Sequence, residues 1–388
     1  MNSITNNFVY GFDTSGRLEQ VTKNASVVAN YGYDSNSNRN SGNVGAQPTT
    51  ATYDDQDRLL TYNTLSFTYN ANGDLLSKIN STTSQTTQYT YDVFGNLTKV
   101  ILPGGTTTIT YEIDGLNRRI GKKVNGVVQK RWVYMDQYRI AAELNSSGTI
   151  TKRFIYGSKG NIPDYMIASG VKYRIISDHL GSPRLVVKQS DGTITQRMDH
   201  DEFGRVIEDT NPGYLPFGFA GGLYDNQTGL VRFGARDYDA ETGRWTSKDP
   251  ILFGGGDTNL FGYVAQDPEN DTDPSGLYQA CFRPLTGWPF IIDKAYHVYL
   301  CAPDSKGGMR CGGQGPSGSI FGSPGKDDSG GATMCNQGPK DKCVDACINA
   351  TLSSNVRPTY DITNRRGVNC QAWASQVVNS CSLRCVGK

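Results

Sequence analysis

The sequence predicts a mainly β protein, in which β-hairpins stack into a sheet or partial shell that precedes a small, cysteine-rich α+β domain. Two observations predict this division. A short unit that combines aromatic residues, Asp and Gly recurs through the first two-thirds of the chain, and all nine cysteines lie at or after Cys281. The 45 Gly and 22 Tyr among 388 residues favour short strands that are joined by tight turns.

The recurring unit reads aromatic-x-Tyr-Asp-x-x-Gly-Arg/Asn-Leu. Its clearest copy occupies residues 89–97, and further copies lie at residues 11–18, 53–59, 69–75 and 201–206. Alternating aromatic and β-branched residues suit a half-buried strand, while Asp or Asn opens a turn and Gly supplies a positive φ. A single hairpin cannot bury its own apolar face, so we expect the copies to share one continuous sheet, with mostly structural roles for Tyr and Asp.

These units resemble the YD repeats of the RHS family of bacterial polymorphic toxins, and the resemblance covers residues 1–277. It implies that residues 1–172 form a hairpin wall, that residues 173–277 form the RHS-associated core, and that residues 278–388 form a variable effector domain. The core resemblance rests on six motifs, at residues 178–184, 217–221, 229–239, 243–250, 259–264 and 273–277. Members of that family enclose a C-terminal toxin in a hollow shell, and this chain resembles a truncated or split member.

The resemblance also implies self-cleavage by an aspartyl pair. By position the pair is Asp249 and Asp273, and the cut falls between Leu277 and Tyr278. Two close carboxylates cannot both ionise cheaply, so one can activate water while the other keeps a proton.

Arg244 or Lys248 is expected to stabilise charge near this pair. Asp267, which also precedes a proline, is an alternative partner. A different interpretation treats the Asp-Pro units as rigid turns without chemistry.

The C-terminal domain contains two cysteine pairs at helical i, i+4 spacing: Cys343 with Cys347, and Cys381 with Cys385. Each pair would place both thiols on one helix face, and two such helices could be joined by disulfides. Zinc on four thiolates and free thiols are the alternatives. We expect no cofactor and no bound metal.

If eight cysteines pair, Cys370 is the one left over. It lies where a helix is predicted to begin, a position that lowers a thiol pKa, and His297 is the only histidine of the domain. The segments around them resemble the circularly permuted NlpC-like and lecithin:retinol acyltransferase-like branch of papain-fold enzymes. The resemblance implies a Cys-His dyad, whereas the alternative is a strand histidine and a ninth structural cysteine.

Three functions compete for the C-terminal domain. The first is a cysteine hydrolase or acyltransferase that acts on a target-cell protein, peptidoglycan or lipid. The second is a non-catalytic, disulfide-stapled binding module on an orphan carrier. The third, a nuclease, is disfavoured together with a nucleic-acid partner, because residues 278–388 contain no Glu and no His-rich motif.

The expected partners are a cognate immunity protein and a secretion apparatus or an upstream RHS shell. We expect no membrane span, because no apolar run approaches 18 residues. The first residues lack the basic and apolar regions of a secretory signal. Secretion or delivery to a target cell would therefore require a dedicated export system.

Overall fold

The structure is a computed structural model that describes residues 6–45, 47–255 and 257–277, together with strand segments between residues 281 and 361. The chain divides into two units. The first comprises residues 1–252 and 257–276, and the second comprises residues 253–256 and 277–388.

Twenty strands of the first unit form one sheet, in which every strand pairs antiparallel with the next along the chain. The prediction of a mainly β chain built from stacked hairpins is therefore confirmed. The strands are β1 Phe8–Phe12, β2 Leu18–Lys23, β3 Ser26–Tyr33, β4 Arg39–Val44, β5 Gln47–Tyr53, β6 Leu59–Tyr62, β7 Leu65–Tyr69, β8 Leu75–Asn80, β9 Gln85–Tyr91, β10 Leu97–Ile101, β11 Thr108–Ile113, β12 Arg119–Val124, β13 Val127–Tyr134, β14 Ile140–Leu144, β15 Ile150–Ile155, β16 Tyr165–Ala168, β17 Val171–Ser177, β18 Pro183–Lys188, β19 Ile194–His200 and β20 Val206–Asp209.

The Asp and Gly of each repeat build the turn, as the pattern predicts. In the turn between β9 and β10, the Asp92 side chain accepts hydrogen bonds from the backbone N–H groups of Phe94 and Asn96, both at 2.9 Å. Gly95 has a φ of +80°, in the left-handed region that glycine adopts without steric cost. The Asp side chain thus closes the turn that the glycine permits.

In several repeats the Tyr ties its hairpin to the preceding one. The Tyr33 hydroxyl donates to the Leu18 carbonyl at 2.7 Å, and the Tyr53 hydroxyl donates to the Arg39 carbonyl at 2.7 Å. Leu18, which closes the repeat motif, is fully buried on the inner face of the sheet. Hydrogen bonds between neighbouring hairpins therefore accompany the burial of apolar side chains along the sheet, as a stacked-repeat fold requires.

The core segment adds a second, small sheet to this unit. Its four strands are β21 Leu223–Tyr224, β22 Leu230–Phe233, β23 Arg236–Asp239 and β24 Arg244–Trp245. Short 3₁₀ turns occur at Phe219–Gly221, Leu252–Gly255 and Val264–Gln266. All residues of β22, β23 and β24 are buried, so the small sheet forms an interior of its own around Tyr238, Trp245 and Tyr263.

The second unit is described through its strands. They are β25 Cys281–Pro284, β26 Tyr296–Pro303, β27 Met309–Gly315, β28 Phe321–Pro324, β29 Lys326–Asp327 and β30 Thr359–Asp361. Strands β25, β26, β27 and β29 share one sheet, and β28 pairs with β30. The helices predicted from Cys343 and from Asn369 lie outside the described residues. Within the part of the chain that is described, no helix has the length and apolar character that crossing a membrane requires.

The two ends of the first unit meet in a seam that contains the half-buried carboxyl groups of Glu202 and Glu269. The Tyr31 hydroxyl of β3 donates to Glu202 in the last hairpin turn, and its ring packs edge-on against Phe203 at 5.0 Å between centroids. The Tyr10 side chain of β1 hydrogen-bonds to Glu269. Burial, reinforced by the neighbouring Glu202, raises the pKa of Glu269 to about 8. The seam is therefore most stable when this carboxyl group carries its proton.

We predict that the unit loses stability as the pH rises. A carboxyl group whose pKa is raised by folding contributes stability below its unfolded value, and this contribution is lost as the pH passes through the folded value near 8. The melting temperature should therefore fall between pH 5 and pH 9, by about 2–4 °C for each kcal/mol that is lost. Glu269→Gln should flatten this dependence, whereas the exposed Asp191→Asn should leave it unchanged. Equal slopes for the wild type and Glu269→Gln would contradict the assignment.

Candidate functional site

Buried ion pairs attach the small core sheet to the hairpin wall. Asp237 of β23 lies between two guanidinium groups, at 2.9 Å from Arg119 of β12 and at 3.0 Å from Arg232 of β22. All three side chains are almost fully buried. Arg232 also donates to the Asn96 side chain of a repeat turn at 2.7 Å. Since an isolated buried charge is costly, these partners hold β22 and β23 in one position against the wall.

A second set of contacts also joins the core segment to polar groups of the wall. Lys122 of β12 lies 2.6 Å from Asp225, which also accepts a hydrogen bond from the Tyr111 hydroxyl at 2.7 Å. Arg244 of β24 donates to the Asn38 side chain at 2.8 Å and to the Asp57 carbonyl at 2.5 Å. Strands and turns of the wall therefore both contribute to the surface that binds the core.

The candidate site is built around Arg236, the first residue of β23. Its Nη2 lies 2.9 Å from Asp249 Oδ2 and 3.6 Å from Asp273 Oδ2. The two aspartates that the sequence singled out thus flank one guanidinium group. The three residues are 3%, 4% and 2% exposed, so this arrangement is shielded from solvent.

The environment of Asp249 favours its protonated form in mild acid. Burial raises the pKa of this carboxyl group to about 6, and the charges of Asp273 and Asp257 act in the same direction. Arg236 and the backbone N–H of Ile251, which donates to Asp249 Oδ1 at 2.9 Å, oppose the shift. A carboxyl group that titrates near pH 6 beside a second one has the properties of an acid–base pair.

The segment that carries Asp273 is bound through its main chain to the turn between β22 and β23. The Ala235 N–H donates to the Ser275 carbonyl at 2.9 Å, and Arg236 Nε donates to the Gly276 carbonyl at 2.5 Å. Gly276 has a φ of +65°, and a Cβ atom there would lie 2.5 Å from the Phe233 carbonyl oxygen. Only glycine fits this close approach, which explains its place in the Asp-Pro-Ser-Gly-Leu motif.

The expectation that Arg244 or Lys248 stabilises the pair needs correction. Arg244 is engaged with Asn38 and Asp57, and the Lys248 side chain lies where a Cβ on Gly73 would be. Arg236 lies beside the two aspartates instead. The sequence offered one signal for it, an Arg next to an Asp within the core motif at residues 229–239, because buried charges of opposite sign tend to occur together.

The other predicted site residues are placed only in part. Leu277 is described, but Tyr278, Cys370 and all four disulfide candidates (Cys343, Cys347, Cys381 and Cys385) lie outside the described residues. His297 lies on β26, where it is the register partner of Arg283 on β25. The Cys-His dyad therefore stays a prediction.

Asp267, the alternative partner, takes part in a turn. Its side chain accepts hydrogen bonds from the backbone and side-chain nitrogens of Asn270, at 3.2 and 2.8 Å. The described residues contain no group of three or more His, Cys, Asp or Glu side chains that could hold a metal ion.

Comparison with known proteins identifies a family for most of the chain. The model of the teneurin YD-shell family matches residues 1–259. Teneurin-3 of Mus musculus is 32% identical over 251 residues, which cover 63% of this chain and 9% of that protein. The tRNA3(Ser)-specific nuclease WapA of Bacillus spizizenii is 27% identical over 275 residues, which cover 67% of this chain and 11% of that protein. The chain thus spans about a tenth of the length of these relatives.

Among solved structures, the crystal structure of TcdB2-TccC3-TEV is similar with a TM-score of 0.39 and 18% sequence identity. The similarity covers 70% of this chain and 18% of that one.

We predict that Asp237→Asn strongly destabilises the first unit, because it leaves Arg119 and Arg232 buried without their carboxylate partner. Removal of one member of a buried ion pair costs about 3–5 kcal/mol. Asp191→Asn is the matched control, since Asp191 pairs with Lys188 at 2.7 Å on the surface, and such pairs contribute about 0–1 kcal/mol. Urea unfolding would measure both variants, and equal stabilities would refute a structural role for the buried pairs.

Proposed function

Because the chain belongs to the teneurin YD-shell family, we propose that it is the C-terminal part of an RHS-type bacterial toxin. In this proposal the repeat carrier cleaves itself after Leu277 and releases the C-terminal domain as an effector. The relationship to WapA, whose name describes a tRNA-specific nuclease, supports a toxin-type carrier. Delivery to a target cell would follow from that role and would depend on an export system or an upstream shell.

The self-cleavage proposal rests mainly on one observation. The buried carboxyl groups of Asp249 and Asp273 both lie beside the guanidinium group of Arg236. One guanidinium group cannot neutralise both Asp249 and Asp273 together with the nearby Asp257, so a proton is retained among them. The segment that precedes the predicted cut is held by main-chain bonds a few residues away. Hydrolysis requires a substrate that is held beside the carboxyl pair, and these bonds would help to position the peptide bond after Leu277 for it.

The proposed reaction is hydrolysis of the peptide bond between Leu277 and Tyr278. The ionised carboxylate takes a proton from water while the water oxygen bonds to the Leu277 carbonyl carbon. The protonated carboxyl group gives its proton to the Tyr278 nitrogen, and the C–N bond breaks with its electron pair left on nitrogen. The products are a Leu277 carboxylate and a free Tyr278 amine, so no cofactor is consumed.

We predict that Asp249→Asn and Asp273→Asn each leave the chain uncleaved. Neither amide can exchange a proton as the reaction requires, so the rate should fall by at least about 100-fold. Intact mass spectrometry after expression should show a fragment that begins at Tyr278 for the wild type and the full chain for both variants.

Asp267→Asn is the matched control, because Asp267 also precedes a proline but belongs to a turn. It should cleave like the wild type. Loss of cleavage in Asp267→Asn alone would instead identify Asp267 as the partner.

For the released domain, we propose a cysteine hydrolase or acyltransferase with Cys370 as nucleophile and His297 as base. The imidazole would withdraw the thiol proton, and the thiolate would attack an amide or ester carbonyl in a protein, peptidoglycan or lipid. The other eight cysteines, among them Cys343, Cys347, Cys381 and Cys385, would form disulfides, and a cognate immunity protein would neutralise the effector. The proposal is supported by the sequence patterns around Cys370 and His297.

The alternative is a non-catalytic, disulfide-stapled module that binds a cell surface. The concentration of all nine cysteines in the last part of the chain favours it, because small exported domains are often stabilised by disulfides.

We predict that Cys370→Ala abolishes toxicity in a susceptible cell that expresses residues 278–388, since no other group would supply the nucleophile. Growth of the expressing cells is the measurement, and His297→Ala should have the same effect. Thiol counting on the released fragment should find one free thiol in the wild type and none in Cys370→Ala. Undiminished toxicity of Cys370→Ala would favour the binding module.

A further inference from the structure

We infer that Ser275 is a positioning residue for self-cleavage, whose hydroxyl keeps Asp273 as the ionised carboxylate and thereby leaves the proton on Asp249. This inference rests on the proposed self-cleavage and adds to it a division of roles between the two aspartates. It concerns a residue of the cleaved segment itself, two positions before Leu277.

Ser275 is held in place through both its side chain and its main chain. Its Oγ donates to Asp273 Oδ1 at 2.8 Å, and its main-chain carbonyl accepts a hydrogen bond from Ala235 at 2.9 Å. The residue is only 7% exposed, so water competes little for the hydroxyl. A hydroxyl that donates to a carboxylate stabilises the charged form of that carboxylate. The Ser275 hydroxyl therefore acts directly on Asp273.

The two aspartates differ in their surroundings. Asp249 receives a backbone N–H from Ile251 and lies closer to Arg236, yet burial and the neighbouring carboxylates still raise its pKa to about 6. Asp273 has a side-chain hydroxyl donor directed at it in addition to Arg236 at 3.6 Å. The geometry thus gives the two carboxyl groups different donors, which separates an acid from a base.

Several titratable or charged groups face the pair. Arg236 reaches both aspartates from β23, and Asp257 adds negative charge from the loop that precedes Asn259. The buried phenol of Tyr263 lies beside Asp273, and burial together with that carboxylate raises the pKa of Tyr263. The phenol therefore stays neutral throughout the range in which the aspartates titrate.

This division of roles completes the proposed hydrolysis. Asp273 accepts the proton from the attacking water, and Asp249 donates its own proton to the Tyr278 nitrogen as the C–N bond breaks. Cleavage then needs Asp249 protonated and Asp273 ionised. The rate should show a bell-shaped dependence on pH, with its basic limb near pH 6 and its acidic limb set by Asp273.

The test is the pH dependence of cleavage in the full chain. Chain that is recovered uncleaved from inclusion bodies and kept unfolded in urea is diluted into buffers between about pH 3 and pH 9, a range that spans both limbs, and the cleaved fraction is followed with time on gels. Ser275→Ala should move the acidic limb upward by about 1–2 pH units, since a hydrogen bond to a charged group is lost. The basic limb, which reports on Asp249, should stay in place.

Three further variants separate this role from a structural one. Ser275→Thr keeps a hydroxyl and should restore the wild-type profile, whereas Ser275→Cys, a weaker donor, should shift the acidic limb by less than Ala does. Ser182→Ala removes another buried hydroxyl, which bonds the Ala220 N–H at 3.0 Å, and should lower the melting temperature without moving either limb.

A uniform fall in rate for Ser275→Ala with both limbs unmoved would overturn the inference, and so would a shift of the basic limb. Both results leave the proposed function intact, because the wild type still cleaves. Absence of cleavage in the wild type at every pH would instead overturn the proposed function and this inference with it.

Discussion

The structure depends on the burial of charged groups where the core sheet meets the hairpin wall. The negative charge of Asp237 is balanced by Arg119 from the wall and by Arg232 from β22, both at hydrogen-bonding distance. Apolar packing alone tolerates small displacements, but a buried ion pair that is pulled apart loses much of its favourable energy while keeping the cost of desolvation. The ion pairs therefore fix the register of β23 against the repeats more sharply than the aromatic core does.

The candidate site inherits its geometry from this constraint. Arg236 is the neighbour of Asp237 in the same strand, so its side chain points to the opposite face of β23, away from the wall contacts. There it faces Asp249 and Asp273 with its Nη2 atom. Two adjacent residues of one strand thus have different roles. Asp237 binds the core to the wall, and Arg236 contacts the carboxyl groups of Asp249 and Asp273. Any change that loosens the anchor would also widen the distances within the pair.

The sequence predicted the repeats well, because each turn is determined locally by an Asp, a Gly and the aromatic residue before them. It also singled out Asp249 and Asp273, whose surroundings follow a recognisable motif. It failed for Arg236, since Arg244 lies closer to Asp249 along the chain and strand register decides which of them turns toward it. The seam that contains Glu202 and Glu269 could not be predicted from the sequence either, because it joins segments that only the fold of the whole sheet brings together.

The placement of the cleavable segment bears on the relation between the carrier and the C-terminal domain. Among the contacts that hold residues 273–276, the Ala235 N–H and the Arg236 side chain donate to carbonyl oxygens of the segment, and Arg236 also faces Asp273. The main-chain bonds depend on backbone geometry, which requires glycine at position 276, while side-chain identity matters at the two aspartates and, by our inference, at Ser275. In the proposed self-cleavage, these contacts place no demand on the sequence beyond Leu277. The determinants of that cleavage would then be separable from those of the proposed effector, and each could change without the other.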